Sequence, residues 1–155
     1  MPSVMIKNGT VITMDRERRV VEHCDIIVED DRIRWVGRVG DVGSAGADRV
    51  IDAMGHIVIP GLIQTHVHLC QALFRGMSDD MELLDWLRLR TWPLEAAHDE
   101  ESIYYSALLG IAELLRGGTT CVVDMETVNH TENAFRAIAQ SGIRAVSGKV
   151  MMDWG

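Results

Sequence analysis

The sequence predicts an α/β fold in which a β-rich segment precedes alternating strands and helices. Short runs of apolar and β-branched residues, separated by turn-forming residues, dominate residues 1–57. From residue 58 to residue 155, strand-like runs alternate with runs whose apolar residues recur at helical spacing. Alternating strands and helices form parallel sheets with right-handed crossovers. We therefore divide the chain into two domains, 1–57 and 58–155.

The β-rich segment is predicted to consist of short strands joined by tight turns. An Asn-Gly pair at 8–9 suits a turn between two strands, and an Asp-Asp pair at 30–31 joins a half-buried hairpin. A Met-Gly pair at 54–55 separates two further strands, and the glycine-rich residues 37–46 form a loop. Because a sheet of about 55 residues makes a marginal core, we expect this segment to need a partner.

Three helices are predicted after the β-rich segment. The first occupies residues 81–90, where leucines recur at helical spacing, and Pro93 limits it because proline lacks an N–H group. The second follows Asp99, a good N-cap, and stops at a Gly-Gly pair at 117–118. Its predicted apolar stripe consists of Ile103, Ala107, Leu108, Ile111, Leu114 and Leu115. The third occupies about residues 132–140.

Strands are predicted on both sides of the third helix, at 119–124 and 143–150. An eight-stranded βα barrel needs about 250 residues, so the pattern stops early at residue 155. The chain is either a small open α/β domain or the first part of a longer protein. We favour the second interpretation, because a short parallel sheet leaves an exposed edge that promotes aggregation.

The predicted site centres on His66 and His68, which end an apolar strand that begins at Val58. Residues i and i+2 of a strand point to the same side, so both imidazoles can reach one point. Imidazole is the commonest side-chain metal ligand, and barrel enzymes place their chemistry at the C-terminal ends of strands. The alternative is a pair of solvated or packed histidines. Cys70 is a weaker candidate for a third ligand, because it lies past the expected end of the strand.

Other histidines are less suited to a site. His98 and His130 precede helices, where solvated or capping roles are expected, and His56 lies at the opposite end of the strand.

Composition argues against several classes of partner. The formal charge is −8 and no basic tract occurs, so electrostatic binding to nucleic acid or to an anionic membrane is not expected. No apolar run approaches the roughly 20 residues of a membrane span, and no signal peptide is recognised. An odd number of cysteines without CxxC spacing favours free thiols. We therefore expect a cytoplasmic protein with three reduced cysteines, Cys24, Cys70 and Cys121.

Residues 59–68, which read IPGLIQTHVH, resemble the metal-binding opening of the amidohydrolase superfamily. The segments that follow resemble the branch that contains 5'-methylthioadenosine/S-adenosylhomocysteine deaminases and chlorohydrolase-like enzymes. These segments are LCQ at 69–71, LFRG at 73–76, LDWL at 84–87 and WPLE at 92–95. The likeness extends from residue 4 to residue 155.

The resemblance implies the N-terminal part of a (β/α)8 metal-dependent hydrolase barrel, preceded by a segment of a composite β-sandwich. It also implies one divalent metal ion, zinc or iron, with His66 and His68 as ligands. Two further histidines, an aspartate and the acid/base glutamate would come from later strands, beyond residue 155. Such a metal ion activates water for attack on a ring carbon that bears an amino group.

The same resemblance suggests three substrate-binding residues. Glu95 is similar to a glutamate that accepts hydrogen bonds from two ribose hydroxyls, although a surface role is the alternative. Trp92 would supply an apolar wall or simply pack, and Gln71 would line the pocket below the metal. Asp124, at the end of a strand, is left open between a contact with substrate and a contact with a neighbouring loop.

We therefore expect a homo-oligomeric, metal-dependent aminohydrolase that acts on adenosine-like nucleosides or related heteroaromatic amines. Within the superfamily, the alternative is a guanine, pterin or triazine hydrolase. An alternative of a different functional class is an inactive fragment or scaffold module that lacks the rest of the metal site. A second polypeptide that completes the barrel is a third alternative.

Overall fold

The computed structural model describes residues 3–38 and 46–152. The chain divides into two compact units, Met1–Pro60 and Gly61–Gly155. Of the loop predicted at 37–46, residues 39–45 lie outside the described part of the chain. The α/β class predicted from the sequence is confirmed, with a β-rich first unit and alternating strands and helices in the second.

The first unit contains one mixed β-sheet in its described residues. Its strands are β1 (Ser3–Ile12), β2 (Val20–Glu29), β3 (Arg32–Arg38), β4 (Arg49–Asp52) and β5 (Ile57–Val58). They are arranged in the order β3-β2-β1-β4, and β5 also pairs with β1. Strand β1 runs antiparallel to β2 and parallel to β4 and β5. The predicted hairpin at 30–31 and the strands around 54–55 are confirmed.

The Asn-Gly pair at 8–9 does not form the predicted turn. It lies inside the continuous strand β1, where Asn8 has a φ of 63° and the register with β2 shifts between Ile6 and Gly9. The Asn8 N–H donates to Asp25 Oδ1 at 2.9 Å, and a Cβ on Gly9 would lie 2.9 Å from Val58 Cγ2. The pair is therefore a β-bulge that continues the strand.

The second unit contains a parallel sheet of three strands in its described residues. These are β6 (Leu62–Val67), β7 (Thr119–Met125) and β8 (Arg144–Gly148), in that order. The helices are α1 (Leu83–Trp86), α2 (Trp92–Ala96), α3 (Glu100–Arg116) and α4 (Thr131–Ser141). A 3₁₀ helix, Leu69–Phe74, directly follows β6 and His68. No helix in the described ranges is both long enough and apolar enough to cross a membrane.

The strand predicted to run from Val58 into the two histidines is interrupted at Pro60 and Gly61. Val58 belongs to β5 in the first unit, whereas β6 begins at Leu62 in the second. Proline cannot donate to a strand ladder, and a Cβ on Gly61 would collide with the Thr120 side chain. The apolar run therefore contains two strands rather than one.

The helical segment near Pro93 continues past the predicted limit. A wide helical turn, Leu87–Thr91, joins α1 to α2, and the Trp92 N–H bonds the Leu87 carbonyl. Pro93 then lies in the first turn of α2, where its missing N–H removes no required hydrogen bond. The prediction that the proline ends the helical segment was wrong.

Helix α3 has the predicted cap and contributes more buried residues to the core of this unit than any other element in the described residues. Asp99 Oδ1 accepts from the Ser102 N–H at 2.8 Å, and the Ser102 hydroxyl oxygen accepts from the Asp99 N–H at 2.9 Å. The predicted stripe faces the core except for Leu115, which is 43% exposed. The fully buried residues that pack together are Leu69, Cys70, Ile103, Ala107, Ile111, Val122, Ala134 and Ala137. This core holds the residues that follow His68 against α3.

Candidate metal centre

The rings of His66 and His68 converge at the end of β6. Their Nε2 atoms are 3.1 Å apart, their centroids are 4.8 Å apart, and the ring planes cross at 84°. Two nitrogens that each lie about 2.0–2.1 Å from a tetrahedral zinc are separated by about 3.3 Å. His66 is exposed and His68 is half-buried. The convergence predicted from the sequence is therefore observed, at a spacing that one metal ion can bridge.

A backbone contact fixes the tautomer of His68. Its Nδ1 lies 2.9 Å from the carbonyl oxygen of Met125. Because a carbonyl only accepts, the proton resides on Nδ1 and the Nε2 lone pair faces His66. Histidines that bind metals commonly donate their other ring N–H to a carbonyl or carboxylate in this way. His68 is thus oriented as a metal ligand would be.

Two imidazoles are an incomplete donor set for a catalytic ion. Catalytic zinc sites usually have three protein ligands and one open position. Within 3–38 and 46–152, no three His, Cys, Asp or Glu side chains are grouped so that they could hold a metal ion. The residues present therefore fit one part of a metal site, and the other ligands would come from outside the described residues.

Cys70 is not suited to be the third ligand. It is fully buried, and its thiol lies 3.8 Å from Glu95 Oε1. Burial raises the pKa of the Cys70 thiol far above its usual value, and the carboxylates of Glu126 and Glu95 raise it further. Because the thiolate is the form that binds metals, the protonated Cys70 acts as a core residue.

Gln71 and Glu95, two of the three predicted substrate-binding residues, contact each other. Gln71 Nε2 donates to Glu95 Oε1 at 2.7 Å. Gln71 lies in the 3₁₀ helix that begins directly after His68, whereas Glu95 lies in α2. The third predicted residue, Trp92, also lies in α2 and is half-buried. The structure thus places a fixed polar pair on the two segments that follow the histidines.

A cavity of about 580 Å³ extends along β6 from Leu62 to His68. Gln71 and Trp86 contribute to its wall, and the Trp86 Nε1–H donates to Ser78 Oγ at 3.1 Å. Trp86, rather than Trp92, supplies the tryptophan of this wall. Trp86 lies in the LDWL segment that resembles the family, but the segment alone indicates no role for it, since its position depends on the helical connection through Leu87–Thr91.

Asp124 is buried at the end of β7, with 4% of its surface exposed. Its Oδ1 accepts from the Leu69 N–H at 3.0 Å, and its Oδ2 accepts from the Ser147 hydroxyl at 2.6 Å. Of the two roles left open by the sequence, the contact with neighbouring chain segments is therefore the one observed.

Glu126 is a buried carboxyl that was not predicted from the sequence. It is 1% exposed; its Oε2 accepts one long bond, 3.4 Å from the Thr127 N–H, and its Oε1 has no hydrogen-bond partner among the described residues. Burial raises the pKa of Glu126 to about 8, with a further contribution from Asp124. Glu126 follows the apolar strand without any distinctive spacing, so the sequence carried no indication of this environment.

His98 is neither solvated nor a helix cap, so that prediction was wrong for this residue. It is 8% exposed and stacks on Phe74 at a centroid distance of 4.8 Å. Its Nε2–H donates to the Cys70 carbonyl at 2.9 Å, and its Nδ1 lies 2.9 Å from Ser102 Oγ. Both ring nitrogens are therefore engaged within the fold. His130 precedes α4, where its side chain makes no capping hydrogen bond.

Comparisons with known proteins agree with the resemblance predicted from the motifs. Residues 57–154 match the amidohydrolase family. The chain is 38% identical over 156 residues to a 5-methylthioadenosine/S-adenosylhomocysteine deaminase from Symbiobacterium thermophilum, an alignment that covers 100% of this chain and 35% of the relative. The chain spans about a third of the length of the curated relatives it matches.

Two solved structures with zinc are similar in fold. An adenosine deaminase from Xanthomonas campestris with bound zinc has a TM-score of 0.87 at 32% identity, covering 99% of this chain and 35% of that one. An atrazine chlorohydrolase from Arthrobacter aurescens TC1 complexed with zinc has a TM-score of 0.84 at 28% identity, covering 98% of this chain and 36% of that one. The predicted likeness to deaminases and chlorohydrolases is confirmed.

Proposed function

Because this chain belongs to the amidohydrolase family, we propose that it forms the N-terminal part of a metal-dependent aminohydrolase. The enzyme would hydrolyse the bond between a ring carbon and its amino group, and so release ammonia, in adenosine-like nucleosides or related heteroaromatic amines. The observation that carries this proposal is the 3.1 Å approach of His66 Nε2 to His68 Nε2. In the whole enzyme, the β-rich unit would contribute to a β-sandwich, and β6, β7 and β8 would begin a (β/α)8 barrel.

His66 and His68 would hold one divalent ion, zinc or iron. Bound to such a site, the ion supplies Lewis acidity that activates water at neutral pH. The Met125 carbonyl keeps the His68 proton on Nδ1 and so reserves Nε2 for the ion. The two zinc-containing structures of similar fold support zinc as the ion.

Glu95 would recognise the ribose of a nucleoside substrate. Gln71 occupies one acceptor position of Glu95 Oε1 and fixes the carboxylate. A carboxylate can accept several hydrogen bonds, so capacity remains for two neighbouring hydroxyls. Gln71 also lines the cavity beside His68, whereas Glu95 is not among the residues that line it. Trp92 would add apolar surface from α2. The chain is 38% identical to the Symbiobacterium nucleoside deaminase, which favours a nucleoside.

A triazine hydrolase, or another hydrolase that acts on a base without ribose, is the second candidate within the family. The similarity to atrazine chlorohydrolase supports it. Such a substrate would gain nothing from Glu95, so the two candidates differ in how they depend on that residue. An inactive scaffold is a third candidate, supported by the absence of a three-residue metal site within the described residues.

Ammonia release by the full-length enzyme tests the proposal. We expect Glu95→Gln to lower kcat/KM for methylthioadenosine about 10- to 100-fold, the equivalent of a hydrogen bond to a charged group. The same variant should leave turnover of a 2',3'-dideoxy analogue unchanged. Glu101→Gln, which alters an exposed carboxylate in the first turn of α3, is the matched control. Equal losses on both substrates would contradict ribose recognition, and no turnover of either substrate by the unmodified protein would favour the scaffold.

A further inference from the structure

Two consecutive residues at the end of β7 each accept a hydrogen bond from the residues that follow β6. The Asp124 carboxylate accepts from the Leu69 N–H at 3.0 Å, and the Met125 carbonyl accepts from His68 Nδ1–H at 2.9 Å. One bond therefore holds the main chain directly after His68, and the other holds the His68 ring.

Leu69 begins the 3₁₀ helix, and its N–H has lost the regular pairing of β6. His68 is extended, with φ −126° and ψ 92°, and makes no side-chain cap. The first N–H groups of a helix have no partner within the helix, and Leu69 is 1% exposed, so water is a poor substitute. Asp124 supplies the acceptor from a neighbouring strand.

Asp124 is itself held on its other side. Its Oδ2 accepts from the Ser147 hydroxyl at 2.6 Å, and Ser147 is its register partner on β8. The residue is 4% exposed, and both of its carboxylate oxygens accept hydrogen bonds inside the fold. This arrangement connects the ends of β6, β7 and β8 through one side chain.

We propose that Asp124 is a positioning residue for the metal site. Its carboxylate fixes the path of the chain at Leu69 and hence the direction in which His68 leaves β6, while the Met125 carbonyl fixes the rotation of the ring. The inference rests on the proposed function, because it takes His66 and His68 as metal ligands. Asp124 touches neither the ion nor the substrate and acts through His68.

Metal binding by the full-length protein, after removal of its metal, tests this role. The affinity for Zn²⁺ is measured by competition with a chromogenic chelator, and bound Co²⁺ is observed by visible absorption. We expect Asp124→Ala to weaken Zn²⁺ binding about 10- to 100-fold, the range found for residues that support metal ligands, and to shift the Co²⁺ bands. Asp124→Asn should restore most of the affinity, because its amide can accept from Leu69 and donate to Ser147.

Two further variants separate positioning from general destabilisation. Asp99→Ala removes the cap of α3 and should leave both the Zn²⁺ affinity and the Co²⁺ spectrum unchanged. Ser147→Ala removes one of the two bonds to Asp124 and should cause a smaller loss of Zn²⁺ affinity than Asp124→Ala. If Asp124→Ala does not fold, the Zn²⁺ affinity of Ser147→Ala tests the positioning role. Unchanged metal binding in Ser147→Ala and in any folded Asp124→Ala would overturn the inference.

His66→Ala distinguishes failure of this inference from failure of the proposed function. If His66→Ala binds Zn²⁺ as well as the unmodified protein, the histidine pair is not the metal site and the proposed function is wrong. If His66→Ala loses the metal while folded Asp124→Ala retains it, only the positioning role is overturned.

Discussion

The ends of the neighbouring strands β6 and β7 carry different chemistry. At the end of β6, His66 and His68 are exposed or half-buried, with two ring nitrogens 3.1 Å apart. At the end of β7, Asp124 and Glu126 are 4% and 1% exposed. A ligand must present a lone pair to an ion, whereas a supporting group is most effective when water is excluded. Burial thus separates the proposed ligands on β6 from Asp124, the proposed supporting residue, on β7.

Removal of either histidine should have the largest effect. We expect His66→Ala or His68→Ala to lower Zn²⁺ affinity more than about 100-fold, beyond the 10- to 100-fold typical of losing a supporting partner. Metal content after dialysis measures this directly. His56→Ala is the control, since His56 is exposed and its ring hydrogen-bonds with the Met54 carbonyl, away from His66 and His68 in the sequence. Retention of the metal by both site variants would refute the ligand role.

Replacement of Glu126 should change the pH dependence of stability. Its pKa is raised from 4.5 to about 8 in the fold, so the folded protein binds this proton more tightly than the unfolded protein does. The resulting stability is fully present below about pH 4.5 and is lost as the pH rises towards about 8, with a slope of at most about 1.4 kcal/mol per pH unit.

Unfolding by urea at several pH values tests the assignment to Glu126. Between about pH 5 and about pH 8, the free energy of unfolding should decline less steeply in Glu126→Gln than in the unmodified protein, because glutamine cannot ionise. Glu101→Gln, on the exposed surface of α3, should preserve the original slope. If the free energy of unfolding falls with pH equally steeply in Glu126→Gln and in the unmodified protein, another group controls the stability in this pH range.

The features predicted correctly from the sequence depend on local periodicity. His66 and His68 converge because a two-residue spacing in extended chain places side chains on one side. Helix α3 was predictable because Asp99 and the glycines at 117–118 bracket a stripe of helical period. These rules need only residues that are close in sequence.

The features that the sequence did not reveal depend on distant contacts. The bulge at Asn8 is stabilised by Asp25, 17 residues away, and Asp124 bonds Leu69 across 55 residues. Glu126 has no local pattern, since its burial follows from the packing of the unit. Composition and spacing cannot specify which buried carboxyl meets which N–H, because that choice depends on strand order and register.

The smallest effect is expected at His98, where the contrast between ligand and support can be tested within one residue type. His98→Ala removes the bond to the Cys70 carbonyl and the contact with Phe74, and should lower the free energy of unfolding by about 1–3 kcal/mol. Zn²⁺ affinity should stay unchanged, because both ring nitrogens of His98 are engaged within the fold. His130→Asn, which removes a half-buried ring without a capping bond and keeps a residue type that tolerates the left-handed φ of 58°, should change stability less than His98→Ala does. Loss of metal in His98→Ala, with stability preserved, would place His98 among the ligands and remove the distinction drawn from hydrogen bonding.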